Sequence, residues 1–226
     1  MFEVIRYSAH HKYEGVLVEN VPEILMWSMY PMWVRAMQAL GYSYNYLLVN
    51  SAHTNHHGPA TPQNRLRYYG MFWLGDKDIH WPQFHGPSPR AWDYLDNNPG
   101  PLLEDRAVPL ASTTLRRIEN TLARHRLDPR VFVKYYGSAE VGARITEPFP
   151  TITTRDHLAI ATRMSDGIHY RLLSLGEKAR AGGFGDSYIW PESVADATKL
   201  IGNAVSPSAA RDIAWPMIQS MEHTLR

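Results

Sequence analysis

Val16-Leu17-Val18-Glu19-Asn20-Val21-Pro22 sets a carboxyl and an amide directly behind a short, continuous, β-branched run. Such a run predicts a buried strand of an open α/β sheet, parallel to its neighbours. Open sheets of this kind present functional groups at the carboxyl ends of their strands, and Glu19 stands at that end. The plainer alternative is a solvated glutamate at a helix start, favoured there by the helix dipole.

Working outward, Phe2, Ile5 and Ala9 fall on helical spacing, and Gly15 separates them from the strand. Pro22 and Pro31 suit helix first turns, and Met32, Arg35, Ala36 and Ala39 continue a helix stopped by Gly41. Residues 46–49 and 68–74 read as two further strands, joined by a loop rich in Gly, Pro and His. Residues 1–74 are therefore expected to form part of a doubly wound α/β domain, with too few strands for a complete sheet.

Residues 75–165 change character, with a stretch dense in Pro, Gly, Asp and aromatics. They predict a smaller, irregular domain, with a helix over 112–125 and strand-like runs at 131–136, 151–154 and 158–161. Residues 166–226 return to a helical pattern. Ser174 can cap a helix over 175–180, and Ser206-Pro207 can open a final helix to about residue 225.

Composition sets milder bounds. The 226 residues carry a net charge of +1, too small to indicate nucleic-acid binding by itself. Of 23 basic residues, 18 are arginine, the better forked donor to phosphates and guanine edges. There is no cysteine, which excludes disulfides and thiolate metal sites and fits a reducing compartment. No apolar run reaches membrane-spanning length, so no membrane role and a cytoplasmic setting are expected. His53-Thr54-Asn55-His56-His57 matches no common metal-ligand spacing, and histidines on a Gly/Pro loop are usually solvated; a DNA backbone contact ranks ahead of a metal, and no metal site is expected.

Three blocks occur in order: the Glu19 block, then Gln63-Asn64-Arg65-Leu66-Arg67, then Ile201-Gly202-Asn203-Ala204-Val205. Together they resemble three motifs of the cytosine-5 DNA methyltransferases, of phage and bacterial type. Further segments resemble the family too. They are Thr113-Thr114-Leu115-Arg116-Arg117-Ile118, Glu147 to Arg155 with its Pro150-Thr151-Ile152-Thr153, and Glu177-Lys178-Ala179-Arg180. Departures lie at Gly176, Ala181-Gly182 and Gly185, where added glycine softens a helix and its turn by roughly 1 kcal/mol each.

The resemblance implies a partial methyltransferase sheet with a target recognition region over 75–165. Glu19 becomes the acid that holds and protonates a flipped cytosine, Arg67 the contact to its carbonyl oxygen, and Arg65 a residue that fixes the site. Asn203 and Ala204 would border the S-adenosylmethionine pocket. Arg116, Arg117, Thr151, Thr153 and Arg155 would contact double-stranded DNA. The family's Gly-rich turn and its Pro-Cys nucleophile have no counterpart here, so the chain reads as the C-terminal portion of such an enzyme. Two readings stay open: a subunit completed by an N-terminal methyltransferase partner bearing the cysteine, or a non-catalytic DNA-binding remnant.

Overall fold

The computed structural model describes residues 1–75, 79–84, 86–135, 140–155 and 157–222. The chain forms two compact units. The first contains Met1–Ala60, Arg65–Pro87 and Pro207–Arg226, the second Thr61–Asn64 and Ser88–Ser206. Among the described residues no helix is long and apolar enough to cross a membrane.

In the first unit, helix α1 (Phe2–His11) leads to strand β1 (Gly15–Asn20), a 3-10 turn at Pro22–Met26 and helix α2 (Tyr30–Ala39). Strands β2 (Tyr42–Asn50) and β3 (Leu66–Leu74) follow, and the final helix of the chain spans Pro207–Glu222. Pro31 sits in the first turn of α2, and Gly41 beyond its end has φ +93, a conformation glycine adopts without strain.

The sheet order is β1-β3-β2, and β3 runs antiparallel to both neighbours. The expectation of parallel neighbours for the Val16–Val18 run is therefore corrected. A continuous apolar run reports burial on two faces but not strand direction. β1 and β2 do run the same way, with β3 inserted between them.

Alternation gives the sheet two buried faces. Val18, Tyr42 and Phe72 pack on Trp33, Val34 and Met37 of α2, with Val4 and Ile5 of α1 against them. Val49 and Tyr69 pack on Ala209 and Ile213, and Met71 and Trp73 on Met217, all three from the final helix. Helices on both faces make this a three-layer α/β arrangement, the partial doubly wound architecture expected.

The second unit holds helix α3 (Ser112–Arg124), strands β4 (Arg130–Lys134), β5 (Ala143–Arg144), β6 (Leu158–Met164) and β7 (Gly167–Leu172), and helices α4 (Leu175–Ala181) and α5 (Val194–Asn203). Its sheet, ordered β5-β4-β6-β7, is wholly antiparallel. Ile118 and Leu122 of α3 pack on Val131, Val133, Ala159 and Ala161 from one face. Phe132 and Ile160 on the other face meet Phe149, Ile152, Ala179 and Ile201.

Two further expectations are corrected here. Residues 151–154 form no strand: Pro148 and Pro150 bring no backbone N–H to a ladder, and the segment is held instead by the Gln63 side chain, which accepts from Ile152 N at 3.1 Å. Residues 167–172 are a strand, not the start of a helical region. The turn Ser165-Asp166 with Gly167 at φ +139 joins it to β6 as a hairpin, a signal the sequence did carry. The strand run expected at 131–136 ends at Lys134, and Tyr136 lies outside the described residues, as does residue 225.

Of the departing glycines, Gly176 lies inside α4 and Gly182 is its C-cap residue, while the stop itself is made by Gly183, which is not a departure. Phe184 N donates to Ala179 O and Gly183 N to Arg180 O, with Gly183 at φ +85: a Schellman closure that needs glycine at that position. At its other end a capping box joins Ser174 and Glu177.

Candidate active site

Glu19 is the fifth residue of β1 and lies opposite Tyr69 of β3. Arg67, two residues from Tyr69, falls on the same face as a diagonal neighbour. Its Nε approaches Glu19 Oε1 at 3.2 Å, both side chains mostly shielded from solvent. Arg65, one alternation further out, is 4 % exposed and close enough to act electrostatically on Glu19. The three residues singled out from the sequence thus converge at one end of the first unit's sheet.

Backbone chemistry fixes this corner. Asn50 ends β2, and its Oδ1 accepts from Ala52 N at 3.2 Å and from Arg65 N at 2.9 Å. Ser51 N in turn donates to Arg65 O at 3.0 Å. Asn50 is therefore the positioning residue for Arg65. Sequence spacing gave it no role, because the partner is backbone fifteen positions away.

Burial governs the electrostatics. It raises the Glu19 carboxyl above its usual range, against the opposing pull of Arg67 and then Arg65. Burial, aided by the neighbouring Arg67 charge, lowers Arg65 to about 10. Tyr69 beside them is raised by burial and then by the Glu19 charge. A carboxyl held toward its protonated form, next to two guanidiniums, can donate a proton to a ring nitrogen while the cations hold an adjacent carbonyl oxygen.

Below the opposite face, Tyr30, Tyr44 and Tyr68 join their hydroxyls in one cluster, with Tyr44 and Tyr68 at 2.9 Å. The sequence gave no warning of it, since the three rings come from α2, β2 and β3.

The His-rich loop is tied down through its backbone. The fully buried Asp212 carboxylate accepts from His56 N at 2.7 Å, from His57 N at 3.3 Å and from Arg211 Nε at 2.7 Å. Among the described residues no group of three or more His, Cys, Asp or Glu is disposed to hold a metal ion.

The other residues read from the sequence lie in the second unit. Arg116 is exposed and Arg117 half-buried on α3. Thr151 donates to Asn64 O at 2.5 Å, Thr153 to Arg155 O at 3.0 Å, and the Arg155 side chain is exposed. The Gln63 amide, buried here, bridges this segment to α4, its Nε2 donating to Ala181 O at 3.0 Å. Asn203 ends α5 with an exposed carboxamide, and Ala204 caps that helix in extended conformation. A solvent-facing group that both donates and accepts, followed by a small residue, suits one edge of an S-adenosylmethionine site.

Solved structures share the fold of this chain. S. pombe Dnmt2 methyltransferase has a similar fold at 16% identity and TM-score 0.60, covering 98% of this chain and 71% of that one. A putative DNA modification methyltransferase encoded within a prophage of E. coli is similar at 16% identity and TM-score 0.64, covering 96% and 72%. Entamoeba histolytica methyltransferase EhMeth is similar at 14% identity and TM-score 0.57, covering 99% and 68%. No curated protein sequence matches the chain. The family described as C-5 cytosine-specific DNA methylase, whose methyl donor is S-adenosylmethionine, matches residues 1–219, and the chain belongs to it.

Proposed function

We propose that this chain is one part of an S-adenosylmethionine-dependent DNA (cytosine-5-)-methyltransferase. It supplies the base-binding acid and arginines and the target recognition region, and a complementary N-terminal methyltransferase partner supplies the nucleophilic cysteine. The observation that carries the reading is the convergence of Glu19, Arg65 and Arg67 in a chain with no cysteine of its own. Residues 1–74 act as part of the catalytic domain, 75–165 as target recognition, and 166–226 as the return to the catalytic domain. The resemblance of the 113–118 segment supports a phage or bacterial setting.

Carbon 5 of cytosine is a poor nucleophile, and addition of a thiolate to the neighbouring ring carbon makes it an enamine. As that bond forms, Glu19 gives its proton to the ring nitrogen, so charge does not build on the base. Arg67 exchanges its resting partner Glu19 for the base carbonyl oxygen, and Arg65 holds the field positive behind it. This requires the cytosine out of the helix stack, with its Watson–Crick edge toward Glu19. S-adenosylmethionine, when bound, supplies an electrophilic methyl group, and Asn203 and Ala204 would hold one edge of it. Arg116, Arg117, Thr151, Thr153 and Arg155 contact the duplex.

The test is single-turnover methylation by the complemented enzyme. Glu19→Gln and Arg67→Ala are expected to slow methyl transfer by ~10²–10⁴ with little change in duplex affinity. Loss of affinity with an intact single-turnover rate would show that these residues are not at the base. The lack of any cysteine favours one second reading, a non-catalytic DNA-binding remnant. Complementation that yields duplex binding but never methylation would select it.

A further inference from the structure

Beyond the residues already assigned to DNA, the second unit carries a basic cup at the turn from α3 to β4. Arg124, His125, Arg126, Leu127 and Asp128 line it from the turn, and Arg144 of β5 closes it, around a cavity of about 220 Å³. Arg124, Arg126 and Arg144 are all exposed. The single carboxylate in the lining, Asp128, is already engaged: Arg144 Nε donates to it at 2.7 Å. The lining therefore keeps a net positive charge from three guanidiniums while one acid orients one of them.

The turn is braced from below. Arg163 of β6 donates to Leu122 O in the last turn of α3 and to Arg126 O in the turn beyond it, both at 3.3 Å, so these two carbonyls are satisfied without the cup's own arginines. Arg124 and Arg126 are left to face solvent. At the tip Leu127 is 89% exposed, a large apolar side chain set between cationic neighbours.

We infer that this cup binds a backbone phosphate of double-stranded DNA, Arg124, Arg126 and Arg144 engaging the phosphodiester while Leu127 packs against the adjoining sugar. Guanidinium forks match phosphate geometry, and contacts of this kind set position on the duplex without reading sequence. An isolated anion would give Leu127 no surface, whereas a sugar–phosphate chain offers charge and apolar carbon side by side. The inference rests on the DNA-methyltransferase reading and adds to it a contact outside the segments that resemble the family's motifs.

The experiment measures binding of the 226-residue chain to a short duplex across a salt series, by fluorescence anisotropy. Each phosphate contact contributes about −0.9 to the slope of log affinity against log salt. The double variant Arg124→Ala/Arg126→Ala is expected to flatten that slope by about 1 to 2, and Arg144→Ala by about 1. Arg126→Lys should keep most of the slope. Leu127→Ser should weaken binding several-fold at every salt concentration with the slope unchanged. Arg6→Ala, which removes an equal charge from an exposed ion pair with Glu3, should leave the slope as it is. Thermal melts of each variant confirm that the fold is kept.

Wild-type slope and affinity in the cup variants overturn the inference while leaving the methyltransferase reading intact. No duplex binding by the wild-type chain overturns both. Titration with inorganic phosphate separates the sources. Uptake that the double variant abolishes, with an unchanged DNA slope, would assign the cup to a free anion and overturn the inference as well.

Discussion

At Glu19 two opposing effects act on one carboxyl, and burial outweighs the two arginines. The sign has a consequence for stability. Because the folded state holds the Glu19 proton to higher pH than the unfolded chain does, Glu19 costs stability as pH rises through that window. Below the ordinary carboxylate range the group is neutral in both states and the cost vanishes. Glu19→Gln is neutral throughout, so it should gain stability relative to the wild type between about pH 4 and pH 7. Urea denaturation of both proteins at the two pH values checks this. A stability difference that stays constant, or moves the other way, would mean the arginines win.

Two elements depend on how closely they approach a neighbour. Gly202 of α5 lies against the backbone of the 153–154 segment: a Cβ there would meet Thr153 C and Thr154 N at 2.5 Å. Backbone cannot step aside, so Gly202→Ala is expected to cost about 1–3 kcal/mol by overpacking. Gly15 of β1 is crowded too, but by the side-chain ends of Met217 and Met221, which can move. Gly15→Ala should therefore cost clearly less, and paired thermal melts would expose the difference; equal losses would contradict the distinction. Arg171 of β7 grips the fully buried Glu177 of α4 through two bonds of 2.6 and 2.7 Å. Arg171→Ala leaves that carboxylate without its fork and should cost about 3–5 kcal/mol, measured by denaturant unfolding.

The same elements show what the sequence could and could not convey. The capping box at Ser174, the proline at the start of α2 and the glycine stop at Gly41 are local chemistry, and each was legible within a few residues. The convergence of Glu19, Arg65 and Arg67 was legible only through the resemblance, because the acid and the arginines lie far apart along the chain. Strand direction was not, because Val16-Leu17-Val18 carries the same pattern in either pairing. Asp212 and Gln63 escaped as well. One captures amides more than 150 positions away and the other bridges two distant segments, and neither leaves a periodic trace.

At the scale of the whole molecule, β1 matters most, because it stands at the edge of its sheet among the described strands. Its Val16 and Leu17 are only half-buried, while Val18 is 8% exposed, so one flank of an otherwise apolar strand is open. An edge of that kind is a pairing surface for another strand. It adjoins Glu19, where a thiol would have to arrive for the proposed chemistry. A partner adding a strand beside β1 would bury the open flank and deliver the cysteine in the same event. The chain alone is therefore expected to form no covalent adduct with a duplex containing 5-fluorocytosine, for want of a thiolate. Mixed with a partner that carries the Gly-rich turn and the Pro-Cys, it should form a stable complex and trap that duplex covalently, read on a denaturing gel. Glu19→Gln should assemble normally and trap slowly, which separates a failure of docking from a failure of chemistry. An adduct from the single chain would remove the need for a partner. A chain that stays monomeric and gains nothing on mixing would leave the open flank of β1 to some other role.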